Sequence, residues 1–313
     1  LIKRFILIND STITIYLDKR SVMLEAVDIH SNLYNKSIQN AHKVSREQIV
    51  TSQGKTLAEG LSSIDGVSIL KTGSNISKPV LNGLYGNRLL LVNNGVRHES
   101  QQWGAEHAPE IDPFAGQEIV VVKNADAVRY GPDALSGIIQ ITPTSIDRSK
   151  KLKSSTALVG NSNGKGGIIN TQLEGGNSHF GYRAALTAKK SGNLKTANYY
   201  LGNTGTEELN ANLLMNYTWK HSDIQISLSH FGTTLGIFEG AHIGSKEDIL
   251  ARIAHGRPFE TYEFEYSIYA PKQRVEHQVA KINYQYALNE NSNIQGQYSL
   301  QRNHRQEYDR RRV

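Results

Sequence analysis

From Leu152 to Asn303 the chain alternates its side chains with period two, over segments long enough to leave few folds open. Leu209, Ala211, Leu213, Met215, Tyr217 and Trp219 interleave with Asn210, Asn212, Leu214, Asn216, Thr218 and Lys220. Phe180, Tyr182, Ala184, Leu186 and Ala188 do so with Gly181, Arg183, Ala185, Thr187 and Lys189. Ile282, Tyr284, Tyr286 and Leu288 face away from Lys281, Asn283, Gln285 and Ala287, and Ile294, Gly296, Tyr298 and Leu300 from Gln295, Gln297 and Ser299. Successive side chains of a pleated strand point to opposite faces, so these are strands with one apolar and one polar face. A soluble sandwich and a membrane barrel would both show this pattern.

The connections favour the barrel. Seven strands are expected, near residues 152–160, 166–174, 180–190, 209–220, 222–231, 274–289 and 292–303. The turns after the second, fourth and sixth are short (Gly175–His179, His221–Ser222, Glu290–Asn291), and those after the third and fifth are long (Ser191–Glu208, Gly232–Gln273). Outer-membrane barrels have short turns on one side and long loops on the other. Asn161–Lys165, a short connection on the long-loop side, breaks the contrast mildly. Tyr217, Trp219, Tyr284 and Tyr286 lie near strand ends, where they suit either an interfacial girdle or ordinary packing. Seven strands make an incomplete barrel, since a plugged lumen takes about 22.

Composition agrees. The 313 residues allow two domains, and with no cysteine there is neither a disulfide framework nor a thiolate metal site. Hydrophobic residues make up 38% of the chain, without an apolar run long enough for a membrane helix. The net charge of +6 is spread along the chain apart from Arg310–Arg312, so no nucleic-acid partner is expected and that cluster reads as a solvated loop. LIKRFILIND lacks the apolar length of a signal segment, and RQEYDRRRV breaks off without a closing strand. The chain therefore reads as a fragment, without its export signal and the rest of its barrel.

Ahead of these strands, Lys78–Thr142 has a different texture. Short apolar runs (Val80–Leu84, Leu89–Val92, Ile119–Val122, Ile138–Ile141) alternate with Gly, Asn and Pro, which predicts small strands and tight turns. Asn93-Asn94-Gly95 predicts a hairpin turn. Upstream, KTLAEGLSS places Leu57 and Leu61 on one helical face, ended by Asp65-Gly66 before a strand from Val67. Between the second and third apolar runs lies a polar insert holding Arg97, His98, Glu99, Gln101, Gln102, Trp103, Glu106, His107, Glu110 and Asp112. Its polarity predicts a loop outside the core, and its ligating groups a binding surface.

The order NGLYGNRLLLVNNGVR, apical insert, EIVVVK, AVRYGPDALSGIIQIT resembles the plug domain of TonB-dependent outer-membrane receptors of the Bacteroidetes type. Gly83, Gly86, Asn87, Arg88, Asn94, Gly95, Val96, Glu118, Tyr130, Gly131, Ala134, Gly137, Ile139 and Thr142 carry the match. Lys123-Asn124-Ala125 stands where the family has a basic residue, Gly and Pro, and Ser136-Gly137 replaces a Gly pair. The resemblance implies an α+β plug domain over residues 46–146, followed by antiparallel transmembrane β-barrel strands over 147–313. Residues 1–21 (with STITIYL at 11–17) are similar to the end of a carboxypeptidase-regulatory-like β-sandwich, although any edge strand would read alike. Residues 22–45 are then a linker, with Leu24, Glu25, Val27 and Ile29 at the place of the TonB box, an extended segment that adds a strand to its partner.

The implied function is energised uptake of a scarce nutrient at the outer membrane of a Gram-negative bacterium. Its partners would be TonB with ExbB and ExbD, and outer-membrane lipid, around a monomeric barrel. No enzyme is expected: NSNGKGG at 161–167 has the wrong spacing for a phosphate loop, and no nucleophile elbow or helical His-Glu-His set is present. No resident cofactor is expected either. The family places the insert at the plug apex, so Arg97, His98, Glu99, Gln102, Trp103, Glu106, His107 and Glu110 are candidate substrate contacts. Two imidazoles and four carboxylates within fifteen residues suit a first-row metal ion. Glu106-His107-Ala108 resembles a run in zinc-uptake receptors of the family, so His98, His107 and Glu106, with His242 from the long loop, are candidate ligands. Alternatively the apical loop bonds the wall, Glu110 and Asp112 cap a turn, and Trp103 is either a stacking platform or a buried anchor. His255 is a further candidate beside KEDILARIAHG, a helix-like stretch in that loop. Zinc, copper, a ferric siderophore, haem and a glycan all stay open as cargo. A non-transporting receptor or adhesin on the same scaffold, and a soluble metalloenzyme, are the other readings.

Overall fold

The structure, a computed structural model, describes residues 41–73, 75–100, 104, 107–115, 118–123, 127, 130–149, 151–238, 240 and 245–309. The segments at 1–21 and 22–40, with Leu24, Glu25, Val27 and Ile29, lie outside the described residues, as do Gln102, Trp103, Glu106 and His242.

The N-terminal unit is α+β. Its elements are β1 (Ala41–Lys43), α1 (Arg46–Thr51), α2 (Leu57–Leu61), β2 (Val67–Lys71), β3 (Ser77–Leu81), β4 (Leu89–Asn93), β5 (Val96–Arg97), β6 (Glu118–Lys123) and β7 (Gly137–Thr142). Both helices start at capping boxes, Ser45 with Gln48 and Thr56 with Glu59, which satisfy backbone amides that have no helical partner. The central sheet runs β1-β6-β7-β4-β5, with β4 and β7 parallel and the other neighbours antiparallel. Its central strands are apolar at nearly every position because both faces are covered. Leu89, Leu91, Val121, Ile139 and Ile141 pack with Leu57 and Leu61 on one side, and Leu90, Val92, Val120, Val122 and Ile138 with Ala134 on the other.

Two expectations shift here. The linker expected over 22–45 gives its last residues to the sheet, because Ala41–Lys43 pair with Val120–Val122. The apolar run Val80–Leu84 is not one strand: β3 ends at Leu81, where Asn82 and Gly83 take positive φ (51° and 79°) and turn the chain. The hairpin expected at Asn93-Asn94-Gly95 is present. Asn94 and Gly95 have positive φ (49° and 72°), the conformation a tight β4–β5 connection needs.

Seven long strands follow: β8 (Lys153–Asn161), β9 (Gly166–Gly176), β10 (Phe180–Ser191), β13 (Thr206–Trp219), β14 (Ser222–Gly236), β15 (Lys272–Asn289) and β16 (Ser292–Tyr308). Each pairs antiparallel with the next, giving one sheet ordered β8-β9-β10-β13-β14-β15-β16. A short pair, β11 (Leu194–Lys195) with β12 (Tyr200–Leu201), decorates the connection after β10, and α3 (Lys246–His255) lies in the one after β14. Several strands extend beyond the expected spans on the long-loop side, most of all β14 and β16.

Register decides between sandwich and barrel. Leu173, Ala184, Leu213, Leu228, Ala280 and Leu300 form one cross-strand row, and of these Leu173, Leu228 and Leu300 are exposed. Leu158, Ile169, Leu186, Leu209, Ile282 and Tyr298 lie on the same exposed face. The opposite face is polar yet buried: Asn170, Arg183, Thr187, Asn210, Asn216, Gln273 and His277 are covered, several of them by the N-terminal unit. A soluble sandwich buries its apolar face, and this sheet does the reverse. Such a surface belongs against hydrocarbon.

Candidate functional site

The polar insert is not an open apical surface in its described part. His98, His107, Glu110 and Asp112 are all buried, which corrects the expectation of a loop outside the core. Pattern fails here because the burying surface is the strand wall, about two hundred residues away in the chain for some contacts. Ile111, between two buried carboxylates, joins the apolar core of the N-terminal unit and pins the insert in place.

From there each side chain meets a named residue of the wall. Glu110 accepts hydrogen bonds from Arg305 Nη2 (2.8 Å) and from the Asn303 amide, and its Oε2 lies 3.0 Å from His277 Nδ1. Glu110, His277 and Arg305 have side chains at most 5% exposed, so the Glu110–Arg305 ion pair is desolvated with the His277 ring beside it. Asp112 accepts from Thr187 Oγ1 (2.8 Å), the Asn212 amide (3.4 Å) and the backbone N–H of Phe114 (3.0 Å). Burial, with Glu208 adding to it, pushes the Asp112 carboxyl up to about 6, against the pull of those donors. His107 Nε2 is 3.0 Å from Glu307 Oε1.

His98 differs. Its ring stacks on His277, with centroids 4.3 Å apart and planes 14° apart, and neither ring nitrogen has a partner among the described residues. Burial, and then the neighbouring His277, lower its pKa to about 3, so the ring is neutral. Gln301 holds the backbone on either side: its amide donates to the Arg97 carbonyl (2.8 Å) and its Oε1 accepts from the Glu99 N–H (3.1 Å). Arg97 and Glu99 pair with each other at 3.0 Å, and Arg97 also with Asp133 at 2.6 Å. These two face outward, unlike the histidines.

Among the described residues, His98, Glu110 and His277 bring their ligand atoms within 4.8 Å of one another, the spacing at which one metal ion becomes feasible. His107 belongs to another contact, and His255 bonds the Arg257 carbonyl at 2.9 Å near the end of α3. Sequence reasoning named His98 and Glu110 but missed His277, Asn303 and Arg305. The signal was present: all three occupy the polar-face parity of their strands, opposite the row of Ala280 and Leu300.

Residues 35–138 match the family model described as the TonB-dependent receptor plug domain. That stretch is a TonB-dependent receptor plug domain. A vitamin B12 transporter of Photobacterium profundum is 28% identical over 118 residues, which cover 36% of this chain and 20% of that one. The solved ferric-catecholate import receptor Fiu of E. coli K12 superposes with a TM-score of 0.63 at 14% identity, over 86% of this chain and 39% of that one. A copper transporter, OprC, gives 0.59 at 15%, over 84% and 37%. The chain thus spans about a fifth of that curated relative and about two fifths of the solved ones. What it resembles are transport receptors rather than enzymes, and its N-terminal unit is the plug.

Proposed function

We propose that this chain supplies the plug and part of the wall of an outer-membrane receptor that imports a scarce nutrient with energy delivered through TonB, in a Gram-negative bacterium. The observation that carries the reading is the buried polar seam between plug and wall. Glu110 and Asp112 are held by wall residues, so the plug obstructs the lumen through hydrogen bonds and ion pairs that work can break. An apolar seam would resist water and release alike. TonB, driven by ExbB and ExbD, would pull on Leu24, Glu25, Val27 and Ile29 to disturb that seam. A transition metal (zinc or copper) or a chelate such as a siderophore or haem is the cargo that the imidazoles and carboxylates of the insert favour. On this reading the metal is cargo rather than a resident cofactor, and the barrel acts as a monomer in lipid.

Uptake of labelled zinc by cells expressing the full receptor, with and without an uncoupler, tests this. Uptake that collapses with the uncoupler, and with deletion of Leu24–Ile29 while surface binding persists, is the expected result. Binding and uptake lost together on the deletion would sink the TonB role. Binding without uncoupler-sensitive uptake would make the protein a surface receptor or adhesin.

A further inference from the structure

His98 comes from the plug just after β5, Glu110 from the insert and His277 from β15 of the wall, and the seam brings them together. Two features exceed what packing asks. His277 presents Nδ1 to the Glu110 carboxylate at 3.0 Å, while its Nε2 is buried without a partner among the described residues. An imidazole fixed by a carboxylate at one nitrogen, with the other left bare, is the arrangement of metal-binding histidines. Both nitrogens of His98 are bare among the described residues as well, in a residue only 7% exposed. Unpaired buried polar atoms are costly, and an apolar residue would fill the place more stably. Beside them lies a cavity of about 10 Å³ bordered by His98, Glu110, His277, Asp112 and Asn212, room for roughly one water-sized ion.

We propose that His98, Glu110 and His277 bind one divalent first-row cation across the seam between plug and wall. Two imidazoles and a carboxylate form a nitrogen–oxygen set suited to zinc. The lone pairs of two stacked rings lie in near-parallel planes, and ligands at about 2.0–2.2 Å from a metal must converge. One ring therefore turns as the ion enters, unstacking the pair. The ion is then shared between two plug ligands and one wall ligand, and it leaves when the plug parts from β15. Its place on a transport route rests on the uptake reading above; the binding itself does not.

The test is titration of the intact receptor in detergent with Co²⁺, followed by Zn²⁺ competition. One Co²⁺ per chain is expected, with the d–d absorption of low coordination number and displacement by Zn²⁺. His98→Gln and His277→Gln should weaken binding at least tenfold, and His221→Gln, in the β13–β14 turn away from the cluster, should leave it unchanged, with heat-modifiable gel migration reporting that each variant is folded. Cu²⁺ paramagnetic resonance on the unsubstituted protein adds a readout free of folding effects: nitrogen couplings from two imidazoles are expected. An all-oxygen signature, no stoichiometric Co²⁺ binding, or native affinity in His277→Gln overturns the proposal. Co²⁺ binding without energised zinc uptake would leave the site standing and remove zinc as cargo. Zinc uptake with His277→Gln binding like the native protein would do the opposite.

Discussion

Thr187, in the middle of a wall strand, donates a hydrogen bond of 2.8 Å to the buried carboxylate of Asp112, seventy-five residues earlier in the plug. The same hydroxyl accepts from the Asn170 amide at 2.8 Å, so one side chain links β9, β10 and the plug. Thr187→Val keeps the shape and removes both bonds, leaving a buried carboxylate short of a donor, at a cost of about 1–3 kcal/mol. The plug of this variant should loosen from the wall while the strands stay in lipid. Limited trypsin digestion of the membrane-embedded receptor checks this. Cleavage of the plug no faster than in the native protein would show that the bond is dispensable.

The outward row makes a second claim, about solvent. Leu300 is 58% exposed, in the row with Ala280 and Leu228, and Gln295 lies on the opposite face of the same strand. Leu300→Arg should cost about 2–4 kcal/mol at mid-bilayer depth, and Gln295→Arg far less. Folding yield into phospholipid vesicles, read by heat-modifiable gel migration, separates them. Equal yields would mean that the Leu300 face is not against hydrocarbon.

Strand positions were legible in the sequence because a sheet with one face in lipid and one against the plug keeps strict alternation from Phe180 to Leu300. The strand ends were less so. Beyond the apolar row the outward side chains turn polar, as in Glu276, Arg274 and Lys272, and the contrast that marks a strand fades while the hydrogen-bond ladder continues. The insert was legible as chemistry but not as geometry. His98 and Glu110 read as an exposed binding loop because the residues that bury them, His277, Asn303 and Arg305, come from segments whose polar face looked like any lumen lining. A contact between positions 110 and 305 leaves no local periodicity to find.

The start of α2 supplies a pH-dependent test inside the plug. Glu59 accepts from the Thr56 backbone N–H at 3.0 Å and from Lys71 Nζ at 3.0 Å. Burial works against the charged form, but the Thr56 amide, Lys71 and the Thr56 hydroxyl outweigh it and hold the carboxyl below its ordinary value. A group with a lowered folded pKa contributes stability that is present above its unfolded value near 4.5 and lost as pH falls through the folded one. Glu59→Gln should therefore narrow the difference in plug stability between neutral and strongly acidic pH, with most of the change below about 4.5. Denaturant midpoints of the receptor across that range check the sign. A native pH profile in the variant would remove Glu59 from the account.

Gly137 opens β7 between β6 and β4, at φ +145°, and a Cβ built there would run into Leu81 Cδ2 and lie 2.5 Å from the carbonyl oxygen of Val122. The side chain of Leu81 could turn aside. The Val122 carbonyl belongs to the neighbouring strand and cannot move without taking the ladder with it. Gly137→Ala should therefore combine backbone strain with overpacking, at about 1–3 kcal/mol for the latter. Gly83 is the matched control: its φ is +79° but nothing lies within 4 Å of the added atom, so Gly83→Ala carries only the left-handed backbone cost of about 1–2 kcal/mol. Trypsin sensitivity of the plug should rank Gly137→Ala above Gly83→Ala, and both above the native receptor. The reverse order would mean that β6 and β7 give way more easily than the covered faces of their sheet imply.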